Sequence, residues 1–414
     1  MGADGRAVDV MREFGRPKIN VRRWSLVACL SMSVSCGGSE LEFADWTIPV
    51  PEGTRIIEYP AVAIEERSEK IESIEDLVLG TDPDDPQQAF YQVSGVVPDA
   101  DGNIFVNDRG NNRIQVFDPD GSYLRTIGQA GQGPGEFERP LDPAIGNGHL
   151  ILRANTRRLS VWTPAGEHVH DLQLMKSLSQ FAGHDAGFVA RYSSPVDDEP
   201  RDGPPQQQYT YALFDIDGEE QYAFAEVLQP PPEAIDLGGT TFFSTGGFLP
   251  AWSMRFAVFS DGAFYLTTSD EYQLHSYGEN PWALRVAWVR DSVGQEHRER
   301  TVASLADSFP DVRESALPFP QEFEAISNLE VDGHGHIYVF PFYEPLNAPR
   351  PQDTERPEVD RPVDVFSPDG EHLFSGMISI SDWTGALGDF VYRSRINRAT
   401  DEYEVVRHRL VEPF

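Results

Sequence analysis

From residue 94 onward the chain alternates short apolar runs with clusters of Asp, Gly, Asn and Pro. Ile104 with Val106, Ile114 with Val116, and Leu124 with Ile127 mark three such runs, and another opens at Ser94. Apolar residues two apart lie on the same side of a strand, so the pattern predicts short strands with these residues on the buried face. Asp101-Gly102 and Asp120-Gly121 separate the runs. Asp-Gly pairs favour tight hairpin turns in which both central residues take positive φ. Residues 94–127 are therefore expected to form one four-stranded antiparallel sheet, with the size and turn spacing of a propeller blade.

The pattern recurs in degraded form, as an internal repeat requires. Asn147-Gly148 precedes Leu150–Leu152, and Leu159–Trp162 precedes Ala165-Gly166. Further copies fall at 186–190 with 211–218, at 261–266 with 272–278, and at 334–339 with 363–370. A sixth sheet is assembled from the two ends of the chain: a hairpin of 389–396 and 402–411, completed by strands such as Arg55–Tyr59 and Leu77–Leu79. The expected fold is all-β, a six-bladed β-propeller of four-stranded antiparallel blades closed by N- and C-terminal strands, which leaves no open edge. Stretches 194–208, 228–250 and 342–362 interrupt the repeat with Pro, Gly and acidic residues and predict surface loops. Val302, Leu305 and Phe309 stand at helical spacing within 292–309, which predicts one short inserted helix.

Composition narrows the functional classes. The 414 residues carry 33 Lys+Arg against 67 Asp+Glu, a formal charge of −34. Binding to a nucleic-acid backbone needs clustered positive charge, so this class is excluded. The acidic balance fits solubility or a saline exterior, and surface carboxylates could take Ca²⁺ diffusely.

The N-terminus has the order of a secretory signal. Arg16, Lys18, Arg22 and Arg23 precede an uncharged stretch from Trp24 to Val34. That stretch is shorter than the ~20 residues a spanning helix needs. Small residues Ser33, Val34 and Ser35 then precede Cys36, which resembles a bacterial lipobox whose cysteine becomes the lipidated first residue. The expected organisation is a signal peptide over 1–35, with a superfluous extension before the basic stretch, an anchor and linker over 36–47, and the propeller over 48–414. Gly37, rather than Asp, after the cysteine fits an outer-membrane lipoprotein facing the periplasm or the cell surface. Cys29 leaves with the signal and Cys36 carries lipid, so the mature domain holds no thiol.

Asn107 to Gly121, with Asp108, Asn112 and Arg113 inside it, followed by the glycine-rich 128–137, looks like the NHL repeat. The chain is similar to the bacterial envelope family described as six-bladed β-propeller proteins, many of them lipoproteins. The resemblance implies fold more strongly than activity.

The candidate chemistry is sparse. Gly128–Gly135 lacks the Lys-Ser/Thr of a phosphate loop, and there is no Gly-x-Ser-x-Gly elbow. His334-x-His336 aligns with the hairpin turn at Asp101–Asn103, so no metal site is assigned there. Arg109, Arg153 and Arg191 each follow the second strand of a blade, and Arg255 stands near the start of the fourth blade's first strand. In a propeller these strand ends converge on one face by the central channel, where four guanidinium groups could surround an anion. Glu136 and Asp142 would lie on the same face; alternatively, the arginines simply answer the many carboxylates. The leading expectation is a monomeric, membrane-anchored, non-catalytic module, without a resident cofactor, that binds a protein, peptide or glycan. The alternative is a metal-dependent enzyme of the lactonase or amidating-lyase type, which such sequences resemble in fold. For that chemistry Glu136 and Asp142 are the nearest carboxylates.

Overall fold

Six turns of one design set the spacing of the strands. In the first, the Asp99 carbonyl accepts the Gly102 amide at 3.0 Å, while Asp99 Oδ1 accepts the amides of Asp101 (3.0 Å) and Asn103 (2.9 Å). Asp118 does the same for Asp120 and Ser122, Asp215 for Asp217 and Glu219, and Asp332 for His334 and His336. Thr163 and Ser367 play the part with a hydroxyl, accepting the amides of Glu167 and Glu371. Such side-chain acceptors pre-organise a turn by replacing water on its inward amides. Only the glycine enters the left-handed region, as at Gly102 (φ 83°) and Gly121 (φ 86°). The Asp-Gly pairs therefore do not form the expected turns with two positive φ angles, because a capped four-residue turn closed by glycine spans the strands instead. Asp99→Ala is expected to lower stability by about 1–2 kcal/mol, since two half-buried turn amides lose a charged acceptor. A urea midpoint unchanged by that substitution would show the cap to be dispensable.

The computed structural model describes residues 45–414 apart from 83, 156–157, 174–175, 177, 197–205, 230–232, 237–240, 245–253, 259–262, 278–279, 307–308, 311, 318, 344–359, 381 and 398–399. The signal peptide and Cys36 lie outside the described residues.

The first blade comprises Val93–Pro98, Ile104–Asp108, Arg113–Phe117 and Tyr123–Ile127, and the second Leu141–Gly146, His149–Asn155, Arg158–Trp162 and His168–Gln173. The third comprises Leu178–His184, Gly187–Pro195, Gln207–Phe214 and Glu220–Leu228, and the fourth Met254–Val258, Phe264–Thr268, Gln273–Tyr277 and Trp282–Ala287. The fifth runs Ile326–Val331, Ile337–Pro341, Arg361–Phe366 and His372–Ile378. The sixth takes Gly385–Leu387, Phe390–Asn397 and Glu402–Val411 from the end of the chain and Lys70–Leu79 from its beginning. A small hairpin, Glu233–Asp236 with Thr241–Ser244, and the helix Gln295–Leu305 are inserted between blades. The helix ends before Phe309, so the expected helical spacing holds only for Val302 and Leu305; all three pack with Val312 and Leu317.

The apolar core is divided among the blade-to-blade interfaces. Phe105 and Val116 of the first blade meet Leu150 and Trp162 of the second; Val161 meets Phe188; Val189 and Tyr211 meet Phe264 and Leu266. Tyr265 and Trp282 meet Ile337 and Phe366, and Tyr338 and Val365 meet Val391. Tyr392 and Val405 of the sixth blade meet Ile104 and Phe117 of the first, which closes the ring. Closure is also held by Thr384 Oγ1, which accepts the Val96 amide at 2.8 Å and donates to the Val96 carbonyl at 3.0 Å. The inner strands come close: a Cβ on Gly183 would lie 1.8 Å from the Ile145 carbonyl oxygen, so only glycine fits there.

Two expectations are corrected. Arg55–Pro60 does not join the sixth blade; it runs parallel to Trp282–Ala287 as an outer fifth strand of the fourth, whereas Leu77–Leu79 does belong to the sixth. Leu124 is exposed while Ile127 is buried, because residues three apart point to opposite faces of a strand.

Candidate functional site

The strand order places two kinds of connection at opposite ends of the ring. At one end lie the links from first to second and from third to fourth strands, which are short turns such as 99–103, 147–148, 163–167 and 332–336. At the other lie the links from second to third strands and between blades, including 196–206, 229–253, 288–325 and 342–360.

All six residues expected to form a ligand site fall at the second, elaborated end by their strand positions. Arg109 lies in the short turn Arg109–Asn111, and Arg153 stands opposite Leu141. Arg191 and Arg255 hold like places, opposite Ser179 and Thr267. Arg153 forms an ion pair with Asp142 and donates to the Leu178 carbonyl of the next blade at 3.4 Å. The Arg191 guanidinium stands 4.6 Å from the centre of the Tyr209 ring and also bonds the Tyr211 hydroxyl. Glu136 turns into its own loop, accepting the Gly133 amide at 2.8 Å and Gln129 Nε2 at 3.0 Å; these bonds hold its carboxyl below the ordinary range. Arg158 ties the same loop down through the carbonyls of Gln132, Gly133 and Glu136. The glycine-rich 128–137 segment is thus a folded strut.

The NHL-like motif also does architectural work. Asp108, fully buried, accepts the Tyr91 amide at 2.7 Å, Asn111 Nδ2 and Arg113 Nε, while Asn112 takes the left-handed conformation and accepts the Arg139 amide.

The opposite end carries a denser group. In the fifth blade's first turn, Asp332 spends Oδ1 on the turn amides and turns Oδ2 to His336 Nδ1 at 2.9 Å. Glu412, just past the last strand, brings Oε1 within 3.4 Å of the same nitrogen and accepts the Tyr338 hydroxyl. Beside them His334 Nε2 meets Asp389 Oδ1 at 2.8 Å. A cavity of about 230 Å³, lined by Asp332, His334, Asp389, Glu412 and Phe414 among others, opens on the group. The Phe414 ring lies edge-on to His336 at 5.5 Å.

Electrostatics follow from this crowding. The two carboxylates hold the His336 imidazolium up at about 10. Burial pushes the Asp332 carboxyl up; burial acts on Glu412 too, but hydrogen bonds from His336, Asp332 and Tyr338 outweigh it and hold that carboxyl down. The two carboxyls are therefore pushed in opposite directions by the same cluster.

The sequence correctly places His334 and His336 in a hairpin turn. It misses Asp332 and Glu412 as partners, because Glu412 lies 76 residues away and arrives only through ring closure. A signal was present: the fourth residue after the capping side chain is Asn103, Ser122, Glu167, Glu219 and Glu371 in five turns, and histidine only at 336.

Four-stranded antiparallel sheets following one another around a closed ring define a six-bladed β-propeller. Residues 52–162 match the DUF5128 family, described as 6-bladed beta-propeller. No curated protein matches the chain in sequence. Among solved structures it resembles a DUF4221 family member from Bacteroides vulgatus, at 11% identity and TM-score 0.48 over 82% of this chain and 98% of that one. It also resembles the BF0058 protein of Bacteroides fragilis (9%, TM-score 0.45, 86% and 99%) and a calcium-binding regucalcin of Agrobacterium tumefaciens (8%, TM-score 0.35, 86% and 97%). These likenesses concern the fold.

Proposed function

We propose that the chain is an exported, lipid-anchored propeller that acts as a non-catalytic binding module, engaging a protein, peptide or glycan of the cell envelope through its elaborated end. The supporting observation is the asymmetry of the connections. Turns of two to five residues suffice to join antiparallel strands, as the described turns at 99–103 and 147–148 demonstrate. Lengthening four links at one end therefore serves something other than closing the sheets, and loops on a rigid scaffold are where binding residues gather. Glu136 and Asp142, the carboxylates available to the lactonase or amidating-lyase reading, are engaged with a loop amide and with Arg153. That engagement favours the binding reading.

The test is a photo-crosslinking residue introduced singly into the full chain in cells. Exposed Tyr91 and Arg139 report on the elaborated end, and exposed Asp101 and Asp120 on the short-turn end. Adducts are expected from the first pair. Adducts from Asp101 and Asp120 alone, or from no position, would sink the assignment.

A further inference from the structure

The geometry points to a divalent transition-metal site of the Zn²⁺ class at the short-turn end, formed by Asp332, His336 and Glu412, that ties the C-terminus to the fifth blade. This site is separate from the binding face proposed above and does not depend on it.

The first ground is spacing. Metal bonds of about 2.0–2.1 Å to nitrogen and carboxylate oxygen give tetrahedral ligand-to-ligand edges of about 3.3 Å. His336 Nδ1 lies 2.9 Å from Asp332 Oδ2 and 3.4 Å from Glu412 Oε1, and the three donor atoms all fall within 4.8 Å of one another. Little movement is needed to seat an ion among them.

The second ground is how the donors are held. Asp332 keeps one oxygen on two turn amides, and its side chain is 2% exposed. Glu412 is oriented by the Tyr338 hydroxyl. Hydrogen bonds behind metal ligands fix their orientation in this way. The cavity beside Phe414 gives an entry path and leaves a fourth coordination position for water.

The third ground is chemical class. One imidazole with two carboxylates suits Zn²⁺, Co²⁺ or Mn²⁺, whereas Ca²⁺ requires six to eight oxygens. On binding, the ion takes the place of the proton on His336 Nδ1, which leaves to solvent. Two carboxylates and a neutral imidazole then balance the divalent charge.

The first blade supplies a control. Asn103 Nδ2 donates to Asp99 Oδ2 at 2.8 Å, in the place where His336 faces Asp332. His336→Asn should therefore preserve the turn while removing the nitrogen ligand. The full-length chain is stripped with a chelator and titrated with ZnCl₂ and, separately, with CoCl₂. Wild type is expected to bind one equivalent, to unfold at higher temperature with Zn²⁺ but not with Ca²⁺, and to give Co²⁺ visible absorption of a four-coordinate site. His336→Asn should remain folded, at a lower unfolding temperature than stripped wild type because its imidazolium is lost, and lose roughly 100-fold or more in Zn²⁺ affinity. Glu412→Gln should also lose the Co²⁺ spectrum. Equal Zn²⁺ affinity in wild type and His336→Asn would overturn the site, as would a wild-type chain that binds no equivalent of Zn²⁺.

Discussion

Arg67→Met is expected to destabilise the fold by about 3–5 kcal/mol, the cost of leaving a buried carboxylate without its cation. Arg67 lies between the outer strand of the fourth blade and the outer strand of the sixth, and its side chain is wholly buried. It grips Asp364 of the fifth blade with two nitrogens, at 2.8 and 3.1 Å, and also donates to the carbonyls of Val363 and Val62. The Tyr272 and Ser375 hydroxyls complete the carboxylate's shell. Removing the guanidinium strands Asp364 and releases the N-terminal segment from the blade it crosses. Adding Asp364→Asn removes the stranded charge, so the double variant should regain part of the loss. Urea unfolding at constant slope measures both steps. A single variant within 1 kcal/mol of wild type would show that the pair only balances its own desolvation.

Taking the pH from 7.5 to 4 should cost the wild type about 3 kcal/mol more than it costs a His275→Phe variant. His275 lies on the fourth blade's third strand, 2% exposed, beside the Trp46 ring, and its Nε2 has no partner among the described residues. Burial pulls its pKa from about 6.5 down to about 4. The unfolded chain takes up a proton below about 6.5 that the folded chain refuses until about 4. Stability is therefore unaffected above pH 7 and drains away between those two values. Comparison with the variant is needed because burial pushes the Glu330 carboxyl upward, a shift that acts in the opposite sense as the pH falls. Urea midpoints of the two proteins at both pH values decide the matter, and parallel behaviour would exclude His275 as the sensor.

The fold was legible because its elements are local. The first, second, third and fifth blades announce themselves by apolar residues on both sides of a turn whose first side chain caps it and whose fourth residue is glycine, as at Asp118–Gly121 and Asp215–Gly218. What local pattern does not encode is the choice of partner. Arg55–Pro60 and Lys70–Leu79 are both outer strands with alternating exposure, and nothing in either sequence says which blade it joins. Tertiary contacts decide: Ile57 packs with Trp282, while Leu79 packs with Tyr392 and Val405. The candidate site was half legible for the same reason. Asp332 and His336 share a turn and could be read together, whereas Glu412 reaches them only because the last strand is drawn back beside the fifth blade. The arginines share one end by their strand positions. Their engagement with Asp142, Tyr209 and Tyr211 depends on side-chain directions that spacing does not fix.

The sixth blade also sets an order of assembly. Asp76 is hydrogen-bonded to Arg407, 331 residues later in the chain. Delivered from its N-terminus, the chain presents strand 70–79 well before its partner. Until then the growing chain has an unpaired strand at one extremity, open to the 402–411 segment of any neighbouring molecule. The last strand to be made is thus the one that separates a closed monomer from a domain-swapped pair.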